Sequence, residues 1–141
     1  MDKRIEPKQT PSTFNDTRKT RSFGIAVSDI DAIATFYTTY LGMEKRIFGD
    51  NRVALHFGDQ KINLHPAGWD YEPKARVSTP GSADLCFIVS ERVDSLQTKL
   101  ALRGVDIIEG PVERTGATGR LRSIYIRDPD GNLIELSNRA E

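Results

Sequence analysis

The chain has 141 residues, enough for one domain with a real core and too few for two full-sized ones. Hydrophobic residues make up 38% and charged residues 28%, as in soluble globular proteins, and a formal net charge of zero favours neither nucleic acid nor an anionic membrane. The single cysteine, Cys86, excludes an intrachain disulfide framework; no apolar run is long enough to span a bilayer and no apolar leader opens the sequence, so a cytoplasmic protein is expected.

Residues 1–19 are polar and aperiodic and read as a flexible tail, with the folded domain spanning 20–139. The stretch SFGIAV (22–27) predicts a strand. Residues 28–42 predict a helix, with Ile30, Ile33, Tyr37 and Leu41 at helical spacing, Ser28 as N-cap and Gly42 as terminator. RVALHFG and KINLHP predict two strands joined by a tight turn at GDQ. Residues 67–82 link this first module (20–66) to a second (83–139); Trp69 and Tyr71 in the linker read as residues that pack at an interface rather than contact substrate.

The second module repeats the first. ADLCFIV (83–89) predicts a strand. Residues 90–104 predict a helix capped by Ser90, with Val93, Leu96 and Leu100 on one face. LRSIYIR and NLIELS predict two strands about the DPDG turn. Val27, Ser28 and Gly42 recur as Val89, Ser90 and Gly104, an offset of about 62 residues. The segment ERTGATGR (113–120) reads either as a mobile loop presenting Arg114 to an anion or as a plain hairpin connection. The fold class is α+β, built from two βαβββ modules.

Alternate strand residues face opposite ways, and the helices must cover the more apolar side. That leaves Arg52, His56, Asn63, His65, Asp84, Cys86, Tyr125 and Glu135 on the helix-free faces. Unpaired burial there would cost several kcal/mol per group, about 2–7 for a polar one, so such a face calls for a ligand, a metal or ordered water. Cys86 reads as an inert core thiol.

The pattern FY..YLGME in the first helix and DPDGNLIEL at the end resembles the vicinal oxygen chelate superfamily, which includes glyoxalase I, the fosfomycin- and bleomycin-resistance proteins and the extradiol dioxygenases. NRVALHFGDQKINLHPAG, EPKARVSTPGSADLCFIV, EGPVERTGATG and SIYIRDPDGNLIELSN are most similar to the subgroup of glyoxalase domain-containing protein 5 and bacterial virulence-associated glyoxalase-like proteins, over roughly residues 22–138.

The resemblance implies a curved, incomplete barrel around a divalent metal site and a homodimer with no nucleic-acid or membrane partner. It places Ser22 and Asp84 at the usual first-strand ligand positions and Asn63 and Glu135 at the last-strand ones, with His65 beside Asn63. Ser22 and Asn63 depart from the usual pattern. Asp84, Glu135 and His65 form the expected metal set, suited to Mn, Ni, Fe or Mg as well as Zn, and a degenerate site without metal is the alternative. Glu135 is also the candidate base, and Arg52, His56, Arg114 and Tyr125 the candidate substrate contacts. The implied function is a metal-dependent enzyme, a lyase or related, acting on a small oxygenated or electrophilic molecule. A non-catalytic sequestration protein of the bleomycin-resistance type is the alternative, and a structural or regulatory dimer with a dead site is a third reading.

Overall fold

A computed structural model describes residues 21–140. The expectation for the N-terminal tail lies outside them. The elements run β1 (Ser22–Val27), α1 (Ile30–Leu41), β2 (Glu44–Phe48), β3 (Arg52–Phe57), β4 (Gln60–Pro66), β5 (Asp84–Ile88), α2 (Val93–Leu102), β6 (Glu109–Gly116), β7 (Gly119–Arg127) and β8 (Leu133–Arg139). They form two four-stranded mixed sheets: sheet one in the order β1-β4-β3-β2 and sheet two in the order β5-β8-β7-β6. In each sheet the first strand of the module pairs in parallel with its last, and the other pairs are antiparallel. The two modules share one topology, and the sheets are not hydrogen-bonded into a closed barrel.

The helices begin differently from the sequence expectation. Asp29, not Ser28, caps α1, its Oδ1 accepting from Ala32 N at 3.0 Å. Ser28 N instead donates to Asp130 Oδ2 in the second module at 3.0 Å. Ser90 caps nothing: α2 starts at Val93, whose amide donates to Asn138 Oδ1 at 2.7 Å, so β8 supplies the cap from across the sheet. Gly42 ends α1 as expected, at φ +68, where a side chain would be strained.

The core lies where the helix-facing sides of both sheets meet the helices. Ile33 and Tyr37 of α1, Val93 and Leu100 of α2, and Leu55, Ile62, Ile124 and Ile134 of the strands join one cluster, each under 2% exposed. Full burial of an aliphatic side chain of this size contributes about 1.5–3 kcal/mol. Phe57 and Phe87 meet edge to face at the join of the modules, with ring centroids 5.3 Å apart. The modules therefore pack through their helix-facing sides, and the two helix-free faces are left outside this core.

The DPDG turn ties the halves together. Asp128 Oδ1 accepts from Asp130 N (2.9 Å) and Asn132 N (3.0 Å), while Oδ2 accepts from Asn132 Nδ2 (2.7 Å) and from the hydroxyl of Tyr37 (2.8 Å) in the other module. Asn132 Oδ1 then accepts from Ala83 N at 2.9 Å, fixing the entry to β5.

Candidate functional site

Strand register sets out the helix-free face of sheet two in rows. Cys86, Glu135, Tyr125 and Glu109 stand side by side across β5, β8, β7 and β6; Ile88, Ser137, Ser123 and Val112 form the next row. Parity placed Asp84, Cys86, Tyr125 and Glu135 on this face, and the register puts them there.

Glu135 is the centre of the patch. Its Oε2 accepts from the hydroxyls of Ser123 (2.7 Å) and Ser137 (3.2 Å), which are themselves 2.7 Å apart. Both serines are fully buried, whereas Glu135 is half-buried. Both hydroxyl bonds go to one oxygen, so Oε1 carries neither serine. Charge-assisted bonds of this kind are about twice as strong as neutral ones and hold the carboxylate in one orientation.

Tyr125, opposite Glu135, accepts from Arg114 Nε at 3.1 Å, and Arg114 reaches on to Glu109 Oε1 at 2.9 Å. Partial desolvation and the nearby charge of Glu135 push the Tyr125 phenol up, while Arg114 pulls the other way. Arg114 lies within β6, and β6 and β7 form a hairpin turning between Gly116 and Gly119. The mobile-loop reading of 113–120 is thus replaced by the hairpin reading.

Cys86 is exposed rather than a core thiol, because β5 is an edge strand with its helix-free side uncovered. Desolvation around the sulfur raises its pKa; the Ser137 hydroxyl, 3.6 Å away, lowers it, and the charges of Glu135 and Asp84 add to the rise. That is the environment of an unreactive thiol. Asp84 is exposed at the start of β5, opposite Leu133.

Sheet one carries the other expected residues. His65 is half-buried next to Ala26 and packs over Gly24, where an added Cβ would fall 2.5 Å from its Nε2. Burial first, and the charge of Arg52 second, lower the His65 pKa. Arg52 donates to the Tyr71 hydroxyl at 3.2 Å and stacks 4.5 Å from that ring and 4.8 Å from Phe48. Tyr71 and Trp69 are nonetheless 38% and 46% exposed. His56 Nδ1 lies 3.4 Å from Arg46 NH1, beside the Glu44–Arg46 ion pair. Asn63 Oδ1 is buried with no hydrogen-bond partner among the described residues.

The divalent ion implied by the resemblance does not fit the side chains as one chain arranges them. Among the described residues no group of three His, Cys, Asp or Glu side chains comes together to hold a metal. His65 is on sheet one, Asp84 and Glu135 are on sheet two, and Glu135 already has two hydroxyls on Oε2. What the sequence reading missed is the role of Ser123 and Ser137. Their place on the Glu135 face was readable from strand parity, but a serine at a strand position carries no sign of the acid it will bond.

The family model described as the Glyoxalase/Bleomycin resistance protein/Dioxygenase superfamily matches residues 19–136. Virulence protein STM3117 of Salmonella typhimurium is 56% identical over 113 residues, covering 80% of this chain and 78% of that protein. Its crystal structure superposes with a TM-score of 0.84 over 86% of this chain and 97% of that one. Glyoxalase domain-containing protein RDO1 of Mycosarcoma maydis is 53% identical over 114 residues, 81% of this chain and 64% of that protein. Metallothiol transferase FosB of Shouchella clausii is 28% identical over 114 residues, 79% of this chain and 73% of that protein.

Proposed function

The chain belongs to the Glyoxalase/Bleomycin resistance protein/Dioxygenase superfamily, and on that footing we propose that it binds and sequesters a small oxygen-rich molecule against the helix-free face of sheet two. The observation that carries this is Glu135: a half-buried carboxylate oriented by two buried hydroxyls through one oxygen, with the Tyr125 phenol and the Cys86 thiol as its other polar neighbours on an uncovered face. Such a group is a fixed acceptor for a ligand hydroxyl, and Tyr125, held by Arg114, stands beside it as a second polar contact.

The working unit in this reading is a homodimer with twofold symmetry. Its support is the uncovered apolar surface on edge strands: Ile47 on β2 is 65% exposed and Ile88 on β5 is 51% exposed. Light scattering of the purified chain at high micromolar concentration gives the mass of two copies; a monomer mass removes the dimer.

Thermal shift against a panel of vicinal diols, α-hydroxy acids and epoxides tests the ligand reading. A binder at a hundredfold excess over its Kd stabilises the fold by about 2.7 kcal/mol. That shift disappears in Glu135→Gln; a hit retained in full by the variant places binding elsewhere.

A second reading, a metal-dependent lyase-type enzyme with Glu135 as base, has its own support in the partnerless Asn63 Oδ1 next to His65 on sheet one, an acceptor that calls for a positive or donating group. The similarity to FosB, a metallothiol transferase, points the same way. Because His65 is apart from Asp84 and Glu135 within the chain, this reading needs a second copy to bring His65 to them. Stabilisation by Mn, Ni, Fe, Mg or Zn that is lost in Asp84→Asn, Glu135→Gln and His65→Ala favours it over the first.

A further inference from the structure

A cavity lies away from the Glu135 patch. Residues 67–83 join β4 to β5 with neither helix nor strand and form a strap over the end of sheet one. Both ends of the strap are pinned. Ala67 N donates to Val27 O at 2.8 Å, and Ala83 N donates to Asn132 Oδ1 at 2.9 Å. Gly81, at φ +82, runs so close to the DPDG turn that a Cβ there would meet Asp130 O at 2.4 Å. Between the ends, Lys74 Nζ donates to Trp69 O at 2.8 Å, and Tyr71 rests on Arg52. The space beneath measures about 630 Å³, the size of a small-molecule site.

Its lining is chemically one-sided. Lys74, Arg76 and His65 contribute to it, together with the rings of Trp69 and Tyr71, and no aspartate or glutamate does. The strap's own acids, Asp70 and Glu72, are not among the lining residues. Neither Lys74 nor Arg76 has an acidic partner among the described residues. A concave wall with cations of one sign and no internal counter-charge concentrates anions, and an ammonium and a guanidinium offer donors that an oxyanion accepts. The aromatic rings supply a flat apolar surface beside them.

We propose that the strap cavity binds a small molecule joining an oxyanion, carboxylate or phosphate, to a planar apolar body, with the oxyanion on Lys74 and Arg76 and the body against Trp69. Within the chain this site is separate from the Glu135 patch, sharing only His65 with the metal reading above, and it does not rest on the function proposed for the patch.

Trp69 is the only tryptophan of the chain, so its fluorescence reports the cavity directly. The full chain is titrated with phenyl phosphate, benzoate and benzyl alcohol, which share a ring and differ in charge. Phenyl phosphate or benzoate produces a saturable change with a Kd about tenfold or more below that of benzyl alcohol, and the tighter of the two identifies the oxyanion. Lys74 and Arg76 are exposed, and the one bond lost, Lys74 to Trp69 O, is at the surface, so K74Q/R76Q stays folded with a melting temperature close to the wild type's while weakening that probe about tenfold. Glu135→Gln leaves the titration unchanged, which separates this site from the one on sheet two. Three results overturn the proposal: no saturable signal with either anion, benzyl alcohol binding as tightly as both, or a folded K74Q/R76Q protein binding as the wild type does.

Discussion

Asp128 and Glu135 are carboxylates on one segment, the first in the turn that enters β8 and the second within the strand. Asp128 is 5% exposed, and its two oxygens take two backbone amides, a side-chain amide and a phenol. Glu135 is half-buried, and both of its serine bonds go to the same oxygen. An acid whose acceptor sites are filled from within the chain serves the fold. One that is half-buried, with two buried hydroxyls on one oxygen and the Tyr125 phenol and Cys86 thiol beside it on an uncovered sheet face, is poised for a ligand. The acid that the sequence motif makes conspicuous, in DPDG, is thus the architectural one, and the acid in the strand behind it is the chemical one.

The largest expected effect comes from breaking the architectural acid. Asp128→Ala leaves the Tyr37 hydroxyl, the Asn132 amide group and two backbone amides without their acceptor. It costs about 3–5 kcal/mol in urea unfolding, by analogy with removing one partner of a buried charged network. Tyr37→Phe deletes one of those bonds, to a charged acceptor, at a cost of about 1.5–3 kcal/mol. Burial, and then Asp128, raise the Tyr37 phenol far above its usual range, so this bond stays in place through the neutral and mildly alkaline range.

A smaller effect concerns pH. His65 has its pKa lowered by burial and by Arg52, so the unfolded state takes up a proton before the folded one does. Its contribution to stability is complete above about pH 6.5 and is lost as the pH falls from there towards the folded value. His56 works in the same sense, lowered by desolvation, Arg46 and Lys61. Melting temperatures recorded between pH 7 and pH 5 fall less steeply in His65→Gln than in the wild type. Parallel curves would show that His65 is not desolvated in solution.

The same contrast explains which parts of the molecule were legible in the sequence. Faces followed from alternation: Ile134 and Leu136 turn to the core and Glu135 turns away, because a strand allows only two sides. The repeat exposed the two modules, and Gly42 marked a helix end because its backbone must be left-handed there. Contacts made across the fold were not legible. Asn138 caps α2 from 45 residues further along, and Ser28, which local reasoning made the cap of α1, gives its amide to Asp130 while Asp29 caps the helix. β2 (Glu44–Phe48) escaped the alternation test because its residues are exposed or half-buried on both sides. The metal set failed to gather within the chain for a similar reason. Parity put His65, Asp84 and Glu135 on helix-free faces, but on two separate sheets, and no local pattern says how two sheets are placed.

The comparison is tested most directly by the urea unfolding free energy of Glu135→Gln beside the wild type. A ligand-directed carboxylate is replaceable: the amide oxygen still accepts from Ser123 and Ser137, and stability changes by less than about 1 kcal/mol. A loss of about 3 kcal/mol or more, on the scale expected for Asp128→Ala, would contradict the account and make Glu135 a structural residue.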